Sequence, residues 1–263
     1  MAENTLFSRI RDSYRRKLSR SGGQRLVELR PNLPIVSFTF DDFPRTAARV
    51  GGRILEEHDM RGTYYVSLGL MNCDLPAGRG FSADDLRDIV DEGHELGCHT
   101  FAHCHAWETR PAAFEESVLE NKRALEELFP TASFRSLSYP IATPRPQTKL
   151  RVAKYYSCSR GGIEAINLGT TDANNLSACF LEKHRGDADS LKRLMDENSR
   201  VHGWLIFATH DVAPTPSPFG CTPEFFREIV SYAAGSGAKV LPVAEAWGTI
   251  KTDGSPARPA IST

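Results

Sequence analysis

Two adjacent carboxylates, Asp41-Asp42, close the apolar run Ile35-Val36-Ser37-Phe38-Thr39-Phe40. Two histidines four residues apart, His99 and His103, follow the short run 94–98, and His210-Asp211 follow Leu205-Ile206-Phe207-Ala208-Thr209. One carboxylate oxygen, from Asp42, and two imidazole nitrogens form a donor set that holds zinc and related divalent ions while leaving positions open to water. The i, i+4 spacing would place the two histidines on one face of a helical turn. Each feature alone has a plainer reading: histidines at a surface or in a core, aspartates in a loop that caps a helix. Placement strengthens the combination. Each group stands just past a run that reads as a strand, and parallel α/β proteins gather their sites at the carboxyl ends of strands.

The elements that must position these groups alternate along the chain. Strand patterns fall at 35–40, 63–67, 94–98, 134–138, 155–159, 178–181, 204–208 and 239–243. Helical patterns separate most of them, at 45–58, 111–128, 146–154, 188–198 and 222–234. Ser82 is placed to cap a further helix whose first turn carries Asp84 and Asp85. Strand–helix alternation over this span predicts α/β architecture with a parallel sheet, a barrel or a doubly wound fold. The 263 residues suit one barrel. The expected organisation is a basic, helical N-terminal extension over 1–32, one catalytic domain over 33–248, and a structureless Pro/Ser/Thr/Gly-rich tail over 249–263.

The motifs resemble those of the NodB-type polysaccharide deacetylases, carbohydrate esterase family four. Phe38-Thr39-Phe40-Asp41-Asp42 is similar to that family's TFDD segment, and Gly93-His94-Glu95-Leu96-Gly97-Cys98-His99-Thr100-Phe101-Ala102-His103 to its histidine motif, in the same order. The resemblance implies a distorted (β/α) barrel and a division of labour. Asp41 becomes the general base, while Asp42, His99 and His103 become ligands to a divalent metal. Zinc is the first expectation, and cobalt, nickel, manganese or iron would suit the same donors. Alternation along a strand would point the two aspartates in different directions. Leu137-Ser138-Tyr139-Pro140-Ile141 is similar to the family's strand ending in a proline turn, which implies an oxyanion contact from the Ile141 N–H, and Arg135 becomes the arginine that orients Asp41. The segment ending in His210 resembles the last motif, which implies a general acid. The family's histidine-tuning aspartate has only Asp172 and Asp211 as candidates here, and Ala208 stands where a bulky aliphatic often lines the acetyl pocket.

The activity so implied is hydrolysis of an N-acetyl or O-acetyl group on an amino sugar, oligosaccharide or lipid-linked sugar. A deformylase or other C–N amidohydrolase on a non-sugar substrate is the alternative within the fold. A non-catalytic glycan-binding protein is the alternative outside enzymes. Formal net charge is −1, so no whole-protein field recruits nucleic acid. Six cysteines without a CxxC pair read as free thiols of a reducing compartment. The first 30 residues hold no apolar run of signal-peptide length, and the expected location is the cytoplasm. The N-terminal segment opposes Arg9, Arg11, Arg15, Arg16, Lys17, Arg20, Arg25 and Arg30 to Glu3, Asp12 and Glu28, with Leu6, Phe7, Ile10, Tyr14 and Leu18 at helical spacing. A solvated helix packed on the domain is the plainer expectation. Peripheral contact with the inner membrane face through 6–20 is a second reading, and contact of this segment with nucleic acid a third. Trp107, Phe219 and Tyr139 could stack on sugar faces.

Overall fold

The computed structural model describes residues 6–141 and 143–253. In chain order its elements begin with helix α1 (Leu6–Ser21) and strands β1 (Leu26–Arg30) and β2 (Ile35–Phe40), then α2 (Arg53–Glu56) and β3 (Thr63–Val66). The hairpin β4 (Asp74–Leu75) and β5 (Gly78–Arg79) precedes α3 (Ala83–Asp91), β6 (Glu95–Cys98), α4 (Pro111–Leu128) and β7 (Leu137–Ser138). There follow α5 (Pro146–Val152), β8 (Ser159–Arg160), β9 (Gly169–Asp172), β10 (Cys179–Phe180), α6 (Ala188–Val201) and β11 (Trp204–Thr209). The last are α7 (Pro223–Gly235), β12 (Lys239–Val240), α8 (Val243–Thr249) and β13 (Lys251–Asp253).

The large sheet runs β10-β11-β2-β3-β6-β7-β8, with parallel neighbours throughout. It curls into the distorted (β/α) barrel that the motifs implied. The distortion has a local cause. β2 pairs with β11 along its whole length, but its other edge is shared, β12 covering Ile35 and Val36 and β3 covering Thr39 and Phe40. Beyond β8 the passing segment 173–176 extends the ladder, through Leu176 N–H to Ser159 O and Gly161 N–H to Leu176 O.

All six residues of β2 and of β11 are buried, as a parallel sheet covered on both faces demands. Alternation then sorts them. Leu205 and Phe207 join Val36, Phe38 and Phe40 in the main core under the helices, while Trp204, Ile206 and Ala208 turn into a second core with Val27, Leu29 and Ile250. Helix α4 starts at Pro111, as its first-turn position allows, and its last-turn neighbour Phe129 precedes Pro130. It buries Phe114, Val118 and Leu125. Asn121 on the same face accepts from Leu68 N–H at 2.9 Å and donates to Val66 O at 2.8 Å. Ser82 caps α3 in a capping box with Asp85, as its position predicts.

Three expectations change. Leu26–Arg30 is no extension: it forms the middle strand of a small antiparallel sheet, β13-β1-β9, and lends Val27 and Leu29 to the second core. Lys251–Asp253, expected in the structureless tail, pairs with β1, while residues 254–263 lie outside the described residues. The helix expected over 45–58 opens with a π turn, Ala47–Gly52, before α2.

Candidate active site

Successive parallel strands deliver the polar residues to one end of the barrel. Asp41 and Asp42 follow β2, His99 follows β6, and Tyr139 to Ile141 follow β7. Arg160 ends β8, Glu182 lies just past β10, and His210 follows β11. A cleft of about 740 Å³ is lined by these groups together with Leu70, Leu75, Phe180 and Phe219.

Asp42, His99 and His103 offer ligand atoms that lie within 4.8 Å of one another. Asp42 Oδ1 stands 3.1 Å from His103 Nε2 and 3.6 Å from His99 Nε2, yet it is buried and accepts no hydrogen bond. A buried carboxylate oxygen left without a donor is costly unless something else satisfies it. His99 is buried, and its Nδ1 lies 2.9 Å from Ser138 O. Only an Nδ1–H can bond that carbonyl, so the Nε2 lone pair faces Asp42, the tautomer of a metal-ligating histidine. Burial pulls the His99 pKa down to about 4 and keeps the ring neutral. Two imidazole nitrogens and an orphaned carboxylate oxygen fit a divalent cation by their chemistry.

The route to this geometry differs from the expected one. His99 and His103 do not share a helical turn; they flank a loop in which Thr100 (φ 60°) and His103 (φ 49°) are left-handed and Thr100 Oγ1 accepts from Cys104 N–H. Strand alternation does not separate the aspartates either. Asp41 N–H still bonds Thr209 O at 2.9 Å, whereas Asp42 (φ 60°) and Phe43 (φ 51°) turn the chain. With Ile141 at φ 56°, five non-glycine residues around this cleft hold a backbone conformation that L side chains disfavour. Such conformations persist only where the surroundings enforce them, and they gather at working sites.

Asp41 is held by Arg160, a residue the motif comparison did not identify. Both guanidinium and carboxylate are buried. Arg160 Nη2 donates to both oxygens of Asp41, the contact to Oδ2 being 2.5 Å, and to Ser138 Oγ at 2.5 Å. The guanidinium carbon lies 5.1 Å from the centre of the Tyr65 ring and 5.6 Å from that of Phe180. Burial pushes the Asp41 pKa up, but the Arg160 charge and hydrogen bond, with the neighbouring His99 and His210, outweigh it and hold the carboxyl below its usual range. Arg135, the expected partner of Asp41, is exposed, and its charge acts on Glu95 instead. The strand it was placed on begins only at Leu137.

The remaining candidates separate by geometry. His210 Nε2 lies 3.9 Å from Asp42 Oδ2, and its Nδ1 is buried without a partner. Asp172 does not meet His210: it accepts from Arg25 N–H at 2.9 Å and Lys149 Nζ at 2.6 Å, beyond the barrel wall. Asp211 accepts from Ser217 N–H at 2.8 Å and Ser217 Oγ at 2.5 Å. Besides Asp41 and Asp42, Glu182 shares the cleft with His210, and its Oε2 is also buried without a partner. Burial raises the Glu182 pKa, and His210 opposes the rise. The Ile141 side chain is exposed at the rim, and its N–H has no acceptor among the described residues. Ala208 does not line the cleft; it is buried in the second core. Tyr139 and Phe219 do line it, but Trp107 lies outside, beneath Arg15 and Arg145. His94 accepts Gly62 N–H at 2.9 Å on Nδ1 and meets Glu56 at 3.1 Å through Nε2, so it serves the core. His105 Nδ1 accepts Trp107 N–H within its own loop. All six cysteines are free thiols.

The family model described as Polysaccharide deacetylase matches residues 29–158, and the chain belongs to that family. Among curated proteins, a gellan lyase from a Bacillus species is 26% identical over 152 residues, half of this chain. The chain spans only 6% of that relative's length. Several solved structures share the fold. The chitin deacetylase of the fungal pathogen Colletotrichum lindemuthianum superposes with a TM-score of 0.62 at 18% identity, over 86% of this chain and 92% of that one. A family 4 acetyl xylan esterase from Clostridium thermocellum, in complex with a cobalt ion, gives 0.56 at 22%, over 81% and 90%. A family 4 carbohydrate esterase from Streptomyces lividans, in complex with acetate, gives 0.55 at 17%, over 80% and 93%.

Proposed function

We propose that this protein is a metal-dependent deacetylase that hydrolyses an acetyl group from the nitrogen or oxygen of a sugar. Asp42, His99 and His103 would hold the divalent ion. Such an ion, when bound, supplies a Lewis acid and brings a water's pKa toward about 7. Asp41, kept ionised by Arg160, accepts the proton as water adds to the acyl carbon. The Ile141 N–H faces the oxygen on which negative charge gathers. His210, across from Asp42, donates a proton to the leaving nitrogen or oxygen as the C–N or C–O bond breaks. The products are acetate and the free amine or hydroxyl. Apolar side chains of the cleft (Leu70, Leu75, Phe180 and Phe219) offer a surface for the apolar face of a sugar ring.

The observation that carries the reading is the buried, unsatisfied Asp42 Oδ1 facing two histidine nitrogens, beside a carboxylate that a buried guanidinium keeps charged. Family membership supports sugar as the substrate. The test is acetate release from acetylated oligosaccharides after zinc or cobalt is added to chelated protein, with formate release from formylated analogues measured in parallel. Metal-stimulated acetate release that Asp41→Asn lowers by at least about a hundredfold is the expected result. Full activity in excess chelator, or in Asp41→Asn, would refute it.

A further inference from the structure

Helix α1 is amphipathic, but it is mounted the other way round from an ordinary surface helix. Its inward row is polar: Asp12, Arg15 and Ser19 recur at spacings of three and four, and each is buried or half-buried. Arg15 Nη2 meets Glu108 Oε1 at 2.7 Å, and the guanidinium sits 5.4 Å from the centre of the Trp107 ring. At the end of the helix the buried Lys149 ammonium donates to Ser19 O at 2.7 Å and Gly22 O at 2.8 Å, where a cation also suits the helix dipole. The outward row is apolar. Ile10 is 58% exposed and Tyr14 60%, and the same spacing runs back through Phe7 and Leu6 in the sequence. At about 100° per residue, Lys17 continues the row beyond Ile10 and Tyr14, while Arg11 borders it on one side and Arg20 on the other, all exposed. Asp12, the one acidic residue of the helix, is on the inward row.

We infer that α1 docks in the plane of a membrane, its apolar row entering the interface of an anionic lipid surface while the bordering cations meet the headgroups. An apolar row flanked by cations is the pattern of a helix lying in such an interface. No helix among the described residues is long and apolar enough to cross a bilayer, so the contact is peripheral. The helix itself stands beside the catalytic mouth, with its inward side toward it. Arg11, Arg15 and Arg16 line a hollow of about 360 Å³ together with Ile141, and Ile141 also lines the cleft. Docking would therefore present the cleft to sugars carried on lipid, a consequence that rests on the deacetylase reading. The docking itself does not.

The experiment is sedimentation of the full chain with vesicles of phosphatidylcholine alone and of phosphatidylcholine mixed with phosphatidylglycerol, at low and high salt. Partition onto the mixed vesicles should exceed that onto neutral ones by more than about tenfold and weaken with salt. The pair Lys17→Gln with Arg20→Gln should lower it roughly 25-fold, about fivefold per cation. The pair Ile10→Asp with Tyr14→Asp should lower it by about tenfold or more. All four side chains are exposed, so both variants should melt at the wild-type temperature. Equal partition onto neutral and anionic vesicles would overturn the inference, as would no partition at all. A lipid-free dimer that Ile10→Asp with Tyr14→Asp dissolves would also overturn it, by giving the apolar row to a second copy of the chain. Because binding is read without substrate, failure of the deacetylase assay would leave this result standing, and the reverse holds as well.

Discussion

Arg160→Met removes the guanidinium from a carboxylate that has almost no water of its own. Breaking a buried ion pair from one side costs about 3–5 kcal/mol at neutral pH, because the surviving charge is uncompensated. An arginine at contact distance lowers an aspartate pKa by about 1–3 units, and in the variant burial acts on Asp41 with only His99 and His210 opposing it. Without the guanidinium, burial should carry the folded-state pKa upward from its depressed position. The linkage follows in sign. In the wild type the depressed Asp41 pKa contributes stability that is present above the unfolded value and is lost as pH falls through the folded one. In the variant the raised pKa makes Asp41 a penalty that grows from about pH 4 up to its new value. Urea unfolding should thus show the variant's deficit largest near pH 7 and shrinking toward about pH 4. The acidic limb of kcat/KM for acetate release should shift to higher pH. Adding Asp41→Asn should recover much of the lost stability. A deficit that is constant with pH, together with an unmoved acidic limb, would refute the assignment of Arg160 as the group that keeps Asp41 ionised.

Zinc or cobalt should raise the melting temperature of the wild type, by the equivalent of about 2.7 kcal/mol at a metal concentration one hundred times the dissociation constant. Asp42→Ala should abolish that rise in a thermal-shift assay. His94 is buried, and desolvation lowers its pKa to about 4; stability should fall as pH drops from about 6.5 to 4, by roughly 3 kcal/mol in all. His94→Gln should flatten that part of the curve in denaturant titrations, whatever its effect at pH 7. Gly97→Ala should destabilise by about 1–3 kcal/mol, since a Cβ there would lie 2.4 Å from two atoms of the Tyr65 ring. That ring supports the Arg160 guanidinium, so kcat/KM should fall in the same variant.

What could be read from residues alone followed from one rule. Asp41, Asp42, His99 and His210 each come directly after an apolar run long enough to announce a strand, and parallel sheets bring such positions together. Glu182 obeys the same rule, one residue beyond the run at 178–181, and could have been found by it. Arg160 announces itself less. Its strand is two residues long and follows Tyr155-Tyr156-Ser157-Cys158, which has neither clean alternation nor length; only the Gly161-Gly162 turn marks it. Arg135 attracted attention through nearness in sequence to Pro140, a poor guide when β7 is short and the partner comes from the next strand over. The left-handed turns at Asp42, Thr100 and His103 were invisible for another reason. None is glycine, and the modest tendency of aspartate and histidine toward positive φ is too weak to mark a turn from sequence. The small sheet joins β1, β9 and β13 across most of the chain's length, and pairings between so few residues leave little pattern to read. Amphipathicity in α1 was plain, but a helical period says which residues share a face and is silent on which face meets the protein.

Lys149 has a consequence beyond the bonds it makes. Its ammonium gathers the final carbonyls of α1 and the Asp172 carboxylate at one point inside the molecule. The bearing of the N-terminal helix against the barrel is thereby pinned by a polar knot. Apolar substitutions can drift along the outer side of that helix without altering how it is aimed. A neutral residue at 149 would unpin the aim itself.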